Sequence, residues 1–189
     1  MAKLYFRYGT VGSAKTLNLL AVAHNYDQQD KKCVVVKPAI DDRYGIEWVQ
    51  SRSNLKRKAD IVLKDADNVE ELILLMGNDL SCVLVDEVQF LSTLQIEQLR
   101  SYVDRQKVPV ISYGLRGDFK TQLFSGSKRL LELADSIEEV KNTCHYCNSK
   151  ALFNLKLLAG KPTLKGPQVE IGAEEKYLPV CSQHYFGSL

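Results

Sequence analysis

The chain has 189 residues, of which 45% are hydrophobic and 25% are charged, and this suits one medium globular domain with a small appendage. The formal net charge of +2 gives no indication of a nucleic-acid partner, and no apolar run approaches the ~18 residues that a membrane-spanning helix needs. Met1-Ala2-Lys3-Leu4 runs straight into a strand without a secretory signal, so we expect a cytoplasmic protein with neither a membrane nor a nucleic-acid partner.

The first sixteen residues have the pattern of a phosphate-binding loop. Residues 4–8 alternate as a strand does, and residues 17–23 are compatible with a helix. In such a segment the loop amides and the helix N-terminus face an anion, Lys15 adds positive charge, and the Thr16 hydroxyl can hold Mg²⁺. Ala14 stands where the G-x-x-x-x-G-K-S/T pattern has glycine, which leaves an ordinary turn before a buried helix as the alternative. The candidate residues for ATP and Mg²⁺ are Gly9, Thr10, Val11, Gly12, Ser13, Ala14, Lys15 and Thr16.

Strand and helix signals alternate along the following hundred residues. Asn68 and Ser92 are each followed three positions later by a residue that completes an N-terminal helix cap. The alternation predicts an α/β fold with a parallel sheet and helices on both faces, in which ligands bind beyond the C-terminal edge of the strands. The predicted strands are 33–36, 61–63, 82–85, 108–113 and 137–140, and the predicted helices are 68–76 and 92–104.

Two carboxylates follow the apolar strand at 82–85. Asp86 can hold the shell of a Mg²⁺ ion across from Thr16, as the acidic residue after the second strand of a nucleotide site does. Glu87 can accept the proton of an acceptor hydroxyl placed near the γ-phosphate. A helix cap or a surface ion pair is the alternative for both residues, and the phosphate-binding loop earlier in the chain argues against it.

The polar stretch from residue 41 to about residue 60 has no convincing period. It is predicted to be a long loop that is mobile when empty, and Lys56-Arg57-Lys58 within it is interpreted as a solvated loop. Asp41 and Arg43 point to the same side if this segment is extended. They could hold a second hydroxyl or the metal and brace phosphate oxygens, although a solvated surface pair fits the triplet equally well.

Two short knuckles near the C-terminus predict a structural zinc site. Cys144-x-x-Cys147 and Cys181-x-x-His184 supply three thiolates and one imidazole, and in a reducing cytosol metal binding is a better use of cysteine than disulfides. His145 could compete with His184 as the fourth ligand, but the spacing favours His184. Four protein ligands leave no open position, so the Zn²⁺ would be structural. We therefore divide the chain into an α/β nucleotide-binding domain over 1–140 and a zinc-binding unit over 141–189.

These motifs together resemble the zinc-containing thymidine kinase family, over almost the full length of the chain. The resemblance implies an ATP-dependent kinase that transfers the γ-phosphate of ATP to the 5′-hydroxyl of thymidine in pyrimidine salvage, with deoxyuridine tolerated. It also implies a homotetramer and feedback inhibition by dTTP. The segments that carry it are Ile40–Gly45, Cys82–Leu91, Tyr113–Phe119, the two knuckles and Val169–Tyr177.

The resemblance further implies the role of each site residue. Glu87 would be the base that activates the 5′-hydroxyl, Asp41 would act near the metal and that hydroxyl, and Arg43 would act at the transferring phosphate. A flexible lasso over residues 160–177, anchored by the zinc unit, would close over the nucleoside. The implied nucleoside-binding residues are Phe90, which would stack on the base, Gln89, Leu115, Phe119, Asn154, Glu170, Ile171, Gly172 and Tyr177.

Some positions depart from the family pattern. Ala14 replaces a glycine, Val11 a methionine and Ala173 a second glycine, and Asn154 lies at a base-pocket position that varies. The departures leave two other functions open. One is a phosphate-loop ATPase whose acceptor is water, and the other is a non-catalytic nucleotide-binding module.

Overall fold

The protein is described by a computed structural model that covers residues 1–169 and 177–188. It contains a six-stranded sheet with helices on both faces, followed by a smaller unit that begins near residue 141. The elements, in chain order, are β1 (Leu4–Tyr8), α1 (Lys15–Asp27), β2 (Cys33–Pro38), β3 (Trp48–Gln50), β4 (Lys56–Lys58), β5 (Ile61–Leu63), α2 (Val69–Leu75), β6 (Cys82–Val85), a 3-10 turn (Val88–Phe90), α3 (Thr93–Gln106), β7 (Val110–Gly114), α4 (Ser125–Leu133), β8 (Ser136–Glu139), β9 (Phe153–Leu158), β10 (Lys161–Pro162), β11 (Tyr177–Val180) and α5 (Ser182–Phe186).

The six strands of the large sheet are all parallel and are ordered β5-β2-β6-β7-β1-β8. Successive residues of β2 are buried on opposite faces, as the pleat of a strand requires. Val34 and Val36 join the hydrophobic cluster that contains α2, α3 and α4, whereas Cys33 and Val35 join the cluster that contains α1. The prediction of an α/β fold with a parallel sheet covered on both faces is confirmed.

The carboxyl ends of the central strands meet at one edge of this sheet. Tyr8 at the end of β1 is in register with Gly114 at the end of β7, and Gly9 donates its amide to the Gly114 carbonyl at 3.2 Å. Val85, the last residue of β6, pairs with Ser112 on the same strand β7. Residues 9–15, 86–87 and 115 therefore leave the sheet side by side, as the parallel topology predicts.

Two features of the first 140 residues differ from the predictions. The stretch predicted as a long loop contains the antiparallel hairpin β3–β4, and Lys56-Arg57-Lys58 is one of its strands. The hairpin is held because Val49 is buried in the cluster beneath α1. Helix α4 was not predicted, since its first turn contains Ser125-Gly126-Ser127, which are weak helix formers.

The smaller unit has its own apolar cluster and its own sheet, ordered β10-β9-β11 with antiparallel pairing. Leu155, Val180 and Tyr185 are buried in that cluster. The Tyr185 hydroxyl donates to the Phe119 carbonyl at 2.5 Å, which joins the unit to the loop after β7. The part of the predicted lasso that holds Glu170, Ile171 and Gly172 lies outside the described residues. In the described part of the chain, every helix is too short or too polar to cross a membrane.

Candidate active site

A cleft of about 240 Å³ opens at the carboxyl edge of the large sheet. One wall is the loop that joins β1 to α1 together with the first turn of α1, and the other walls come from four segments: the residues after β2, the tip of the β3–β4 hairpin, the segment after β6 and the residue after β7. The lining residues are Val11, Gly12, Ser13, Ala14, Lys15, Thr16, Leu17, Arg43, Tyr44, Gln50, Ser51, Arg52, Ser53, Glu87 and Leu115.

The Lys15 side chain bends back over the loop that precedes it. Its Nζ donates to the Thr10 carbonyl at 2.7 Å and to the Ser13 hydroxyl at 3.2 Å. Burial lowers the pKa of Lys15 to about 8, although the nearby carboxylates of Glu87 and Asp86 oppose this change. A cation held under a loop of backbone amides at a helix N-terminus is the arrangement that binds the phosphates of a nucleotide.

The backbone of this loop takes a left-handed conformation at Ala14, where φ is 62°. Glycine adopts this conformation without cost, whereas an L-residue with a Cβ pays about 1 kcal/mol. The departure from the phosphate-loop pattern at Ala14 therefore keeps the backbone shape that glycine would give and adds a small strain.

Thr16 and Asp86 meet beside Lys15. The Thr16 Oγ1 donates to Asp86 Oδ2 at 3.1 Å, and the Asp86 side chain is buried. Burial raises the pKa of Asp86 to about 7, and repulsion from Glu87 adds to this rise. A hydroxyl and a carboxylate are oxygen ligands of the kind that Mg²⁺ prefers, so these two side chains fit the ion that accompanies ATP.

The Glu87 carboxylate is engaged on both of its oxygens. Its Oε1 accepts a hydrogen bond from Arg43 Nη2, and its Oε2 accepts one from Gln89 Nε2 at 2.5 Å. Burial alone raises the pKa of Glu87, but the charges of Arg43 and Lys15 and the two hydrogen bonds outweigh it and hold the pKa below its ordinary value. Glu87 is therefore an ionised, oriented carboxylate in the cleft, which is the form that accepts a proton.

Arg43 also joins Glu87 to Asp41. Its Nε donates to Asp41 Oδ1 at 2.6 Å, and Lys37 Nζ lies 3.6 Å from the other oxygen of Asp41. The solvated surface pair that the triplet alone allowed is excluded, because Asp41 is buried. Attraction to Glu87 and to Asp41 more than offsets burial and raises the pKa of Arg43.

Gln89 connects Glu87 to the loop after β7. While Nε2 of its amide donates to Glu87, its Oε1 accepts from the Leu115 backbone N–H at 2.9 Å. Gly114 makes this approach possible, since a Cβ at that position would lie 2.5 Å from Gln89 Oε1. The Glu87 carboxylate and the predicted wall of the nucleoside pocket are thus held by one side chain.

The other described residues that the resemblance assigns to nucleoside binding make three separate sets of contacts. Phe90 packs edge to face on Phe124, with ring centroids 6.1 Å apart. Phe119 lies 6.0 Å from the Tyr177 ring. Asn154 is buried, accepts from the Val11 amide at 2.9 Å and donates to the Gly117 carbonyl at 3.2 Å. A nucleoside contact of these residues stays a prediction.

Three polar residues of the site were missed by sequence reasoning. Lys37 continues the apolar run of β2, and a charged residue in such a run is a usable signal because a buried amine needs acceptors. Asn142 follows the last parallel strand and donates to the Val11 carbonyl at 3.1 Å and to Thr10 Oγ1 at 3.2 Å. Arg52 lay inside the stretch predicted as a loop and lines the cleft.

The four predicted zinc ligands form one cluster. The ligand atoms of Cys144, Cys147, Cys181 and His184 all lie within 4.8 Å of one another. The Sγ atoms of Cys147 and Cys181 are 3.8 Å apart, and two thiolates on a tetrahedral Zn²⁺ with bonds of about 2.3 Å would be separated by about 3.8 Å. The donor set and its spacing fit structural zinc. His145 packs instead against the Tyr146 ring, with centroids 4.9 Å apart.

Comparison with known proteins agrees with this geometry. The family model described as thymidine kinase matches residues 2–185. The chain belongs to the thymidine kinase family. A protein named thymidine kinase from Lactiplantibacillus plantarum is 46% identical over 186 residues, which are 98% of this chain and 96% of the relative. Proteins of the same name from Streptococcus gordonii and Lactobacillus johnsonii are 45% and 44% identical, and each alignment covers 98% of this chain and 97% of the relative.

Membership of the thymidine kinase family confirms the family prediction and the prediction that the chain is an enzyme of the kinase class. Thymidine kinases use ATP and thymidine as their substrates, and these are the substrates that the family implies for this chain. The two alternatives, a phosphate-loop ATPase and a non-catalytic nucleotide-binding module, do not fit this family.

Proposed function

We propose that the cleft transfers the γ-phosphate of ATP to the 5′-hydroxyl of thymidine, with Glu87 as the general base. The observation that supports this most directly is the place of Glu87. Its ionised carboxylate lines the same cleft as Lys15 and the phosphate-binding loop, and a guanidinium lies against it. A hydroxyl that reached Glu87 would stand next to the bound phosphates, which is what in-line transfer requires.

In this proposal the cations of the cleft position and neutralise the phosphates. Lys15 and the amides of residues 11–16 hold the β- and γ-phosphates, and Arg43 stabilises the charge on the transferring group. Thr16 and Asp86 would hold Mg²⁺, which neutralises phosphate charge when it is bound. Glu87 takes the proton of the 5′-hydroxyl, and Asp41 keeps Arg43 directed at the reacting centre.

We assign nucleoside recognition to the loop after β7 and to the zinc unit. Leu115, Phe119 and Tyr177 would form the pocket, with Phe90 stacked on the base and Gln89 fixing the pocket wall to the base catalyst. Asn154 would act in this pocket while it braces the phosphate loop through Val11. Glu170, Ile171 and Gly172 remain proposed contacts from the resemblance alone.

The assembly and regulation of the enzyme are also proposals. Zinc bound by the four-ligand cluster would anchor the unit over 141–189 on the kinase domain over 1–140. A homotetramer, feedback inhibition by dTTP, use of deoxyuridine and a cytoplasmic location all follow from the resemblance to the family, and each can be measured on the purified protein or in the cell.

The direct test supplies the purified protein with MgATP and a panel of nucleosides and detects each 5′-monophosphate. We expect thymidine monophosphate as the main product, a smaller yield from deoxyuridine, and no ATP consumption without a nucleoside. ATP loss that is independent of nucleoside would identify a hydrolase, and nucleotide binding without turnover would identify a binding module. Either result would contradict the proposal.

A further inference from the structure

Arg52 lies directly over the phosphate-binding loop, although it is 40 residues away in sequence. It occupies the tip of the β3–β4 hairpin and lines the cleft. A Cβ built on Gly12 would lie 3.3 Å from Arg52 Nη1 and 3.9 Å from its Cζ. The guanidinium therefore lies on the open face of the loop, where the phosphates of a bound nucleotide would be.

The hairpin holds Arg52 in a defined place. The Ser51 amide donates to the Leu55 carbonyl at 2.8 Å, and the hydroxyls of Ser51 and Ser53 are 2.8 Å apart, so the tip is closed by its own hydrogen bonds. At the base of the hairpin, Lys37 Nζ donates to the Trp48 carbonyl at 2.8 Å. Because the backbone beneath Arg52 is already ordered, only the side chain itself must lose conformational entropy when it binds a ligand.

Arg52 has no carboxylate partner among the residues that the structure describes. Elsewhere in the protein, arginines 7, 43, 57, 100, 105 and 129 each pair with a carboxylate. Within residues 1–169 and 177–188, none supplies Arg52 with a hydrogen bond or an ion pair. A cation that lacks a carboxylate partner in a cleft attracts a polyanion, and a guanidinium suits phosphate oxygens because it can donate two parallel hydrogen bonds.

We propose that Arg52 binds the terminal phosphates of the ATP donor and clamps them against the phosphate-binding loop. Together with Lys15 and Arg43 it would make three phosphate-binding cations in the cleft. Arg52 would contact the phosphates of the ATP donor, whereas Arg43 would act on the side of the nucleoside acceptor. This inference rests on the proposed function, because it needs the nucleotide in that loop. It adds a specificity residue that distinguishes a nucleotide with terminal phosphates from one without them.

The test compares steady-state kinetics of the full chain and of Arg52→Met. We expect the KM for MgATP to rise about tenfold or more, the scale of one charge-assisted hydrogen bond, with the KM for thymidine unchanged. Arg52→Lys should recover part of the affinity, because the charge stays but the paired donors are lost. Calorimetric titration should show weaker binding of MgADP by Arg52→Met and unchanged binding of AMP.

Lys58→Met is the matched control. It removes one positive charge from the same hairpin, where Lys58 pairs with Glu47 at 3.1 Å outside the cleft, and it should leave the KM for MgATP unchanged. An unchanged KM in Arg52→Met, or an equal rise in Lys58→Met, would overturn the assignment of Arg52. Zinc content and circular dichroism establish that each variant is folded. If Arg52→Met does not fold, the kinetics of Arg52→Lys are compared with those of the unmodified protein instead.

The experiments distinguish an error in the proposed kinase function from an error in the proposed role of Arg52. If the unmodified protein makes no thymidine monophosphate, or if Lys15→Met retains full turnover, the proposed use of the cleft is wrong. If the unmodified protein is active, Lys15→Met is inactive and Arg52→Met behaves normally, only the role of Arg52 is wrong.

Discussion

Arg43 donates to Glu87 across 44 residues of sequence, and the two side chains form an ion pair inside the cleft. The same guanidinium holds Asp41 through its Nε. Arg43 thereby keeps the Glu87 carboxylate ionised and directed into the cleft, while Asp41 fixes the position of Arg43. In the proposed mechanism, a phosphate that arrives in the cleft would compete for Arg43 and would free an oxygen of Glu87, which would then accept the proton.

The first prediction concerns Glu87 as the base. Glu87→Gln keeps the shape of the side chain and its contact with Gln89 but cannot take a proton. We expect turnover with thymidine to fall by about 10² or more, with zinc content and folding unchanged. The measurement is initial-rate formation of thymidine monophosphate, with Glu97→Gln, a surface carboxylate paired with Arg129, as the matched control. Near-normal turnover in Glu87→Gln would remove this residue from the mechanism.

The second prediction follows from the raised pKa of Asp86, which is about 7 because the carboxyl is buried. The unfolded chain has the ordinary pKa of about 3.9, so between these values the folded state holds a proton that the unfolded state has lost. The stability of the free protein therefore falls as pH rises from about 4 through about 7. Asp86→Asn removes this titration.

In thermal unfolding without Mg²⁺ or nucleotide, Asp86→Asn should melt higher than the unmodified protein at pH 8, by about 2 °C or more, and by a clearly smaller margin at pH 5. The variant should also lose kinase activity. Asp65→Asn changes an exposed carboxylate and should give no such pH-dependent difference. An equal difference at both pH values would contradict the assignment of the pKa.

The third prediction concerns the strain at Ala14. Ala14→Gly places glycine where φ is 62°, so the strain of the left-handed conformation is relieved while the unfolded chain gains entropy. We expect the affinity for MgATP to rise or stay the same and the melting temperature to change little. Ala21→Gly, an exposed position inside α1, should instead destabilise by up to about 1 kcal/mol. A sharp loss of MgATP affinity in Ala14→Gly would mean that the methyl group supports the loop.

The fourth prediction concerns zinc. The smaller unit buries few apolar residues, and two of them are the predicted zinc ligands Cys144 and Cys181, whereas the sheet has two large clusters of its own. Chelation of zinc should therefore disorder residues 141–188 before the sheet, as limited proteolysis with mass spectrometry would show. Cys147→Ser should lose zinc, and Cys33→Ala, in the sheet, should keep it. First cleavage within the sheet would contradict the anchoring role.

Much of the sheet could be predicted because its signals are local. The caps at Asn68 and Ser92 are present, with the Asn68 side chain accepting from the Glu71 amide and Ser92 forming a capping box with Gln95. The apolar run Cys82–Val85 predicted strand β6. A parallel sheet then requires Asp86 to lie at the same edge as the loop after β1.

Features that depend on distant contacts could not be predicted. The β3–β4 hairpin carries a polar, weakly periodic sequence and is held by the burial of Val49 and by Lys37, so neither strand shows a local pattern. Gly126 is in the first turn of helix α4 because a Cβ there would lie 2.6 Å from the Leu91 carbonyl oxygen and 2.7 Å from that of Val88, and no local pattern shows this requirement. The place of Arg52 over Gly12 likewise depends on tertiary structure alone.

Because one amide, that of Gln89, spans from Glu87 to the Leu115 backbone, a shift of the proposed pocket wall would displace the proposed proton acceptor as well. Substitutions that reshape the pocket for unnatural nucleoside analogues should therefore change nucleoside selectivity and lower the rate of phosphate transfer at the same time. Compensating substitutions would then be expected at Gly114 and its immediate neighbours, where the geometry of that shared support is set.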